Sequence, residues 1–301
     1  MKNNVLFKGA FPALVSPVDD VGKVKKESVK KMVDFDIEHG VKGFYVCGST
    51  GEGLAMEEIE RERMVEYTIE AADGRVPVIA QVGALSFLSA ERLAKHAKKA
   101  GAAAVSSIPP IYFKYDEDEY VDYYKRLTVA SELPVLLYAV VAAGNMPSVD
   151  LIRRELEIPG VIGLKWTYMN YYVLQQLKQL NGGNVNVING FDECLLCGLS
   201  MGADAGIGST YNLMPGIYVK LYEAFQAGDI KEAQRLQFAA NKVITILLKH
   251  NCVPAIKALL NRRGFDAGNC LYPMKRLSDE ETDAMCRELE GIVDLDTQTV
   301  L

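Results

Sequence analysis

LPVLLYAVV (residues 133–141) and GVIGLKW (residues 160–166) are two short apolar runs, and the segment between them has apolar residues at helical spacing. Val149, Ile152 and Leu156 form that helical stripe. Both runs are continuously apolar instead of alternating with polar residues, which is typical of parallel strands that are covered on both faces. This part of the chain therefore predicts a β-strand, an α-helix and a second strand parallel to the first.

The same pattern recurs on both sides of this unit. Six further apolar runs are separated by segments with helical spacing: AFPALV (10–15), GFYVC (43–47), VPVIAQV (76–82), AAVSSI (103–108), VNVING (185–190) and ADAGIG (203–208). Eight βα units favour a closed barrel over an open doubly wound sheet. We predict an α/β protein, a (β/α)8 TIM barrel over residues 1–226, with a helical extension over residues 227–301 that packs on the barrel and contains only helices.

Composition limits the classes of partner. The chain has 301 residues, of which 49% are hydrophobic and 24% charged, and its net charge is −6. This balance is typical of a globular protein with a sizeable core. Lys and Arg are scattered through the predicted helices and form no basic stripe, so nucleic acid is not expected as a partner.

The expected location is the cytoplasm. The amino terminus contains asparagines, lysines and two prolines in place of the continuous apolar core of a signal peptide. The sequence has no long uncharged apolar run, so no membrane association is expected. Its six cysteines are too sparse for a disulfide framework and lie mostly among apolar residues, which predicts buried free thiols.

In such a barrel the chemistry lies at the carboxyl ends of the strands. Lys165 closes the run VIGLK, and strand alternation predicts that it shares a face with Val161 and Gly163, opposite Ile162 and Leu164. Small neighbours leave room for a ligand, and an amine removed from water can lose its proton and add to a ketone. The alternative is an ordinary lysine that extends to solvent from a strand end.

Tyr138 ends the run PVLLY, one strand before Lys165, so the two side chains should be neighbours in a barrel. A phenol beside an amine can shuttle a proton. The alternative is a core tyrosine with a tethered hydroxyl.

Three small-residue loops follow other strands. In GSTGE (48–52), Ser49 and Thr50 can donate hydrogen bonds to an anion, although Ser49 and Glu52 also have the spacing of a helix capping box. In GFDE (190–193), two carboxylates and a free glycine carbonyl suit a polyhydroxylated ligand, although Asp192 could instead cap the following helix. GIGST (206–210) has the composition of a phosphate-binding loop but lacks any nucleotide-binding pattern.

Other ligand types are less supported. Cys194 and Cys197 have CxxC spacing without a second pair, and their apolar surroundings predict a buried helix face instead of a metal or redox site. The three histidines (39, 96 and 250) fall in predicted helices away from strand ends, which excludes a Ser-His-Asp arrangement. We therefore expect no metal and no cofactor, with a covalent lysine imine supplying the electrophile.

These motifs occur together in one known family. GSTGE, the strand containing Tyr138, LKWT (164–167), GFDE and GIGSTYN (206–212) resemble, in order and spacing, the N-acetylneuraminate lyase branch of the dihydrodipicolinate synthase superfamily. The resemblance runs from about Phe7 to at least Leu260 and implies a (β/α)8 barrel that is usually a homotetramer. It also implies reversible cleavage of sialic acid, a 2-oxo sugar acid, to pyruvate and N-acetylmannosamine.

The resemblance implies a role for each motif. Lys165 would form the imine, and Tyr138 would relay the proton from the C4 hydroxyl. Ser49 and Thr50 would bind the carboxylate. A larger set would bind the hydroxylated part of the sugar: Thr167, Gly190, Asp192, Glu193 and Ser209. Tyr112 matches a tyrosine that completes the relay, in the site of a neighbouring subunit.

One departure concerns the substrate. The family usually has Asn-Ile-Pro after the tyrosine, where this chain has Ala139, Val140 and Val141. Two alternatives are therefore a related lyase or synthase acting on another 2-oxo acid, and a catalytically weak sugar-acid-binding protein on the same fold. Dihydrodipicolinate synthase itself is disfavoured, because Ala142, Ala143 and Gly144 occupy the stretch where that branch has an arginine.

Overall fold

The computed structural model describes residues 4–140 and 146–301, so Val141, Ala142, Ala143 and Gly144 of the variant loop lie outside the described residues. In the described part, eight parallel strands form one sheet in the order β1-β8-β7-β6-β5-β4-β3-β2. The strands are β1 (Gly9–Pro12), β2 (Phe44–Val46), β3 (Val78–Gln81), β4 (Ala104–Ser107), β5 (Val135–Val140), β6 (Val161–Thr167), β7 (Asn186–Asn189) and β8 (Ala205–Gly208).

Backbone contacts between β1 and β2 close the sheet into a barrel. Ala13 forms a parallel bridge with Tyr45, and the Leu14 amide donates to the Tyr45 carbonyl over 2.9 Å. The Lys42 amide, just before β2, donates to the Ala10 carbonyl of β1 over 2.9 Å. The predicted (β/α)8 TIM barrel is confirmed.

One helix follows each strand: α1 (Lys26–Glu38), α2 (Glu58–Ala72), α3 (Phe87–Ala100), α4 (Glu117–Ser131), α5 (Val149–Leu156), α6 (Tyr171–Gln179), α7 (Leu195–Ser200) and α8 (Pro215–Gln226). Local sequence fixes several helix starts. Asp116 and Glu119 form a capping box at α4, Ser148 caps α5 and Asn170 caps α6. Such side chains satisfy amides that have no partner within the helix.

The core has two layers. Inward side chains such as Phe11, Ile79 and Ile207 fill the barrel, whereas outward side chains such as Leu164 and Val187 pack under the helices. Both faces of each strand are therefore buried, which explains the continuously apolar runs.

The predicted alternation along β6 is wrong at its start. Val161 packs in the outer layer and Ile162 in the inner layer, the reverse of the expectation. The pairing with β5 is irregular here, because Val135 pairs with Val161 and the next residue pairs with Gly163. An extra residue in one strand of a pair shifts the alternation by one position.

The carboxyl-terminal extension contains α9 (Ile230–Leu247), α10 (Cys252–Arg262) and α11 (Asp279–Leu289). It also contains a short antiparallel pair, β9 (Val293–Asp294) and β10 (Thr299–Val300), so the expectation of helices alone was wrong. Gln298, in the turn of this pair, accepts from the Gly216 amide over 3.1 Å and fastens the hairpin to α8. The division of the chain between residues 226 and 227 stays a prediction.

A buried ion pair joins the extension to the loop after β2. The Lys257 amine on α10 lies 2.6 Å from Glu52 Oε1, and the two side chains are 2% and 1% exposed. Lys257 also donates to the Asn269 carbonyl over 2.9 Å, and Glu52 Oε2 accepts from the Leu271 amide over 2.6 Å. Both charges are compensated inside the protein, because an isolated buried charge would be very costly.

Within residues 4–140 and 146–301, no helix taken singly has the length and hydropathy to cross a membrane. The helical stretches Ile230–His250 and Cys252–Arg262 meet that criterion only as a pair, with a bend of 107° between them.

We predict that Lys257→Met lowers the free energy of unfolding by about 3–5 kcal/mol, because it leaves the Glu52 carboxylate buried without its counter-ion. The double variant Glu52→Gln, Lys257→Met should lose less, since neither charge then remains. Urea denaturation measures both values.

Lys249→Met is the matched control, because the Lys249 to Glu288 pair is about half exposed and should contribute under about 1 kcal/mol. An equal loss in Lys257→Met and Lys249→Met would contradict the prediction.

Candidate active site

Lys165 lies inside the barrel mouth. Its side chain is 5% exposed, and its amine lies 4.5 Å from the ring centre of Tyr138 and 4.7 Å from that of Tyr45. Lys165 and Tyr138 are direct partners in the register of β5 and β6, which explains their contact. The alternative of a solvent-extended lysine is therefore wrong.

Two tyrosines bracket this amine. The Tyr138 hydroxyl lies 3.4 Å from Ser49 Oγ, so the loop after β2 reaches β5 across the mouth. The Tyr45 hydroxyl donates to Ser106 Oγ over 3.1 Å. β5 continues to Val140, two residues beyond the predicted end at Tyr138, because it still pairs with β6 there.

Sequence reasoning missed Tyr45. It lies in the middle of GFYVC, and we counted that run only as a core strand. The signal was present, since alternation in β2 directs one of its three residues into the barrel. Burial raises the pKa of the Tyr45 phenol well above its usual value, with the neighbouring Tyr138 adding to the effect.

Contacts of Thr50, Gly51 and Glu52 with other segments hold the GSTGE loop in place. Thr50 Oγ1 and Ser209 Oγ share a hydrogen bond of 2.6 Å, and Ser16 Oγ donates to the Gly51 carbonyl over 2.7 Å. The capping-box alternative is wrong, because α2 begins only at Glu58 without a side-chain cap and the Glu52 carboxylate faces Lys257 instead. Ser49 remains exposed at the mouth.

Asp192 lies between β7 and β8 and is buried. Its Oδ2 accepts from the Thr210 amide over 2.6 Å and from Thr210 Oγ1 over 2.7 Å. Burial raises the pKa of Asp192 to about 6, and the bonds from Thr210 oppose this shift. The helix-cap alternative is wrong, because α7 begins at Leu195 without a side-chain cap.

Thr167 ends β6, Gly190 directly follows β7, and the two residues come into close contact. The Gly190 amide donates to the Trp166 carbonyl over 2.9 Å, and a β-carbon at position 190 would lie 2.1 Å from Thr167 Oγ1. Only glycine fits this approach. Thr167 Oγ1 is buried and has no hydrogen-bond partner among the described residues.

Helix α9 supports the GFDE loop from behind. Gln237 Nε2 donates to the Asp192 carbonyl over 3.0 Å, and Asn241 Nδ2 donates to the Glu193 carbonyl over 3.0 Å. Sequence analysis missed both residues, because a polar residue on an amphipathic helix gives no indication of a distant loop. Glu193 itself is half-buried beside Asp192.

Tyr112 lies apart from the group around Lys165. It is 77% exposed in the loop between β4 and α4, where its ring packs on Phe113 at 4.9 Å between ring centres. A cavity of about 750 Å³ lies between this loop, α4, α5 and β5, and Tyr138 and Tyr168 line its inner end.

The predicted burial of the cysteines is wrong for most of them. All six thiols are free, and of these only Cys47 is buried, whereas Cys197 is exposed. The short helix α7 presents Cys197 to solvent, so the CxxC segment is not a buried helix face. Across the described ranges, no group of three His, Cys, Asp or Glu side chains could hold a metal ion.

Comparison with known proteins agrees with this geometry. The model of the Dihydrodipicolinate synthetase family matches residues 6–292. The N-acetylneuraminate lyase 2 of Escherichia coli is 35% identical over 289 residues, covering 95% of this chain and 94% of that protein. The N-acetylneuraminate lyase of Citrobacter koseri is 38% identical over 256 residues, covering 84% and 86%.

A solved structure resembles the whole chain. The Ruminococcus gnavus sialic acid aldolase catalytic lysine mutant superposes with a TM-score of 0.92 at 31% identity, covering 96% of this chain and 97% of that one. The family match covers residues 6–292, from just before β1 to just before β9, and so includes every strand that contributes to the mouth around Lys165. This chain therefore belongs to the dihydrodipicolinate synthetase family.

Proposed function

We propose that this protein is a Schiff-base lyase that reversibly cleaves N-acetylneuraminate to pyruvate and N-acetylmannosamine. The observation that carries the proposal is the buried amine of Lys165 between Tyr45 and Tyr138 at the carboxyl ends of the strands. Relatives covering most of the chain are named N-acetylneuraminate lyases, and the Ruminococcus gnavus aldolase has a catalytic lysine by name.

The first step in this proposal is imine formation. The amine of Lys165 adds to the C2 ketone of the open-chain sugar acid, and the resulting carbinolamine takes up the proton of the Tyr138 hydroxyl and loses water to give an iminium ion. Ser49 and Thr50 would bind the substrate carboxylate. The exposed Ser49 hydroxyl and the hydrogen bond shared by Thr50 and Ser209 support this assignment. The reaction needs no bound cofactor, because the iminium is itself the electron sink.

The second step breaks the bond between C3 and C4. The proton of the C4 hydroxyl passes to the Tyr138 oxygen, the C3–C4 electron pair moves toward the iminium, and N-acetylmannosamine leaves as an aldehyde. The remaining enamine takes a proton at C3, and hydrolysis of the imine releases pyruvate and Lys165. The distance of 3.4 Å between the Tyr138 hydroxyl oxygen and Ser49 Oγ supports a proton relay along the bound carboxylate.

The sugar hydroxyls would bind along the loops that follow β6, β7 and β8. Thr167, Gly190, Asp192, Glu193 and Ser209 form the proposed set. The buried Thr167 hydroxyl, which has no partner within the described residues, supports this role, since such a group usually has a ligand or water as partner.

We also propose a homotetramer, in which the exposed Tyr112 of one subunit completes the relay in a neighbouring site. The adjoining exposed side chains of Ile111 and Phe113 support burial of this loop in an interface. Cytoplasmic location stays a prediction.

We predict that incubation with pyruvate and borohydride adds the reduced adduct to the peptide containing Lys165, as measured by mass spectrometry. Lys165→Arg should abolish the adduct, because arginine keeps the charge but supplies no free amine. Circular dichroism of the variant serves as the folding control. An adduct at another lysine, or none in the wild type, would refute the imine mechanism.

We predict that Tyr138→Phe lowers kcat for N-acetylneuraminate cleavage by about 100- to 10,000-fold, the usual contribution of a positioned proton carrier. Borohydride trapping of pyruvate should survive in this variant, because the amine is unchanged. Tyr168→Phe is the matched control, since Tyr168 is a neighbouring tyrosine outside the proposed relay. A normal kcat in Tyr138→Phe would exclude the phenol from the reaction.

We predict that kcat/KM for the sugar acid falls as the pH is lowered through about 6, the value to which burial raises the pKa of Asp192. Above this pH the carboxylate accepts hydrogen bonds from sugar hydroxyls, and below it the protonated group accepts fewer. Asp192→Asn should remove this step from the pH profile and leave pyruvate trapping intact. A profile with the same step in Asp192→Asn would assign the titration to another group.

A further inference from the structure

Three sulfur atoms lie at the edge of the barrel mouth, outside the proposed reaction site. We call this group the rim sulfur cluster: Met169 in the loop after β6, and Cys194 and Cys197 in the loop after β7 and the first turn of α7. Met169 and Cys197 are exposed, and Cys194 is partly exposed. A small ion can therefore reach all three from solvent.

The sulfurs already face one another. Cys194 Sγ lies 3.9 Å from Met169 Sδ. Cys194 directly precedes α7 and Cys197 lies in its first turn, and side chains three residues apart lie on the same side of such a turn. The neighbouring strands β6 and β7 bring this cluster together, because Met169 follows β6 and Cys194 follows β7.

The donor set determines which ions would fit. Zinc sites use four ligands with nitrogen, oxygen or thiolate donors, and across the described ranges no three His, Cys, Asp or Glu side chains come together. Two thiols and a thioether are soft donors, which select Cu(I) and similar monovalent ions. Three sulfurs around such an ion, with bonds of about 2.3 Å, would be roughly 4 Å apart. Cys194 Sγ and Met169 Sδ are separated by 3.9 Å.

The surroundings of Cys194 favour retention of an ion. A bound cation would displace the proton of the Cys194 thiol and stabilise the thiolate. The Tyr171 hydroxyl is buried and lies beside Cys194. It can donate a hydrogen bond to a thiolate formed at Cys194.

We propose that Cys194, Cys197 and Met169 form a binding site for one soft monovalent cation of the Cu(I) type at the rim of the barrel. The site does not depend on the proposed lyase activity. It lies directly after Glu193, so an occupied site would lie beside the loop that we propose binds the sugar hydroxyls.

The test is a titration of the fully reduced, oxygen-free protein with Cu(I) in competition with a coloured Cu(I) chelator. We expect one tightly bound ion per chain and the ultraviolet absorption of copper-thiolate bonds. Cys194→Ser and Cys197→Ser should abolish tight binding. Met169→Leu should weaken it by at least about tenfold, because it removes a ligand while keeping the volume.

Cys286→Ser is the matched control, because Cys286 is partly exposed on α11, away from the cluster, and this variant should bind as the wild type does. If the serine variants fail to fold, alkylation of the exposed Cys197 in the wild type replaces them. Retained binding after either change would overturn the proposal.

Two further outcomes would also overturn it. The first is a wild-type protein with six free thiols that leaves Cu(I) on the chelator. The second is a count of only four free thiols before reduction, both in the wild type and in Met169→Leu. That count would indicate that Cys194 and Cys197 form a disulfide in place of an ion site. Pyruvate trapping at Lys165, measured on the same samples, tests the lyase separately.

Discussion

Closure of the parallel sheet between β1 and β2 is the constraint on which the rest of this structure depends. The bridge from Ala13 to Tyr45 and the backbone bonds beside it leave no open edge within the barrel. A closed ring directs the carboxyl ends of all eight strands to one mouth. Pairing of β5 with β6 makes Tyr138 and Lys165 neighbours, and the closure brings the loop with Ser49 and Thr50 to Ser209.

The mouth is stabilised from outside the ring as well as from within it. Lys257 of α10 compensates the Glu52 carboxylate, and Gln237 and Asn241 of α9 donate to carbonyls of the GFDE loop. Glu52 has a φ of 56°, in the left-handed region that non-glycine residues seldom adopt. The surrounding contacts maintain this conformation, so the extension takes part in shaping the loops beside Lys165.

The two sides of the mouth differ in their chemistry. The side near Ser49 and Tyr138 offers hydroxyl groups around a buried amine, which suits a keto acid. The side near Asp192 offers carboxylates and small residues, which suits a polyhydroxylated chain. Gly190 and Gly208 keep this second side compact, since a β-carbon at position 208 would lie 2.1 Å from Asp192 Oδ1.

Several elements could be predicted from sequence because they depend on local periodicity. Continuously apolar runs predicted the strands, and their number predicted the closed barrel. Motif order predicted which residues belong near Lys165. Interactions that depend on long-range packing could not be predicted in this way. The ring of Tyr45 beside the amine and the irregular start of β6 arise where segments distant in sequence meet, and the exposure of Cys197 depends on which face of α7 is turned to solvent.

The sequence by itself determined the barrel, the extension and the position of Lys165 near the end of β6. Strand and helix periods and loop composition are local properties of the sequence. Only the tertiary structure decided that Glu52 pairs with Lys257 instead of capping a helix, that Asp192 binds Thr210, and that Met169 meets Cys194. The physical reason is that burial and charge compensation depend on which segments become neighbours, and chain closure sets those neighbours after the local elements have formed.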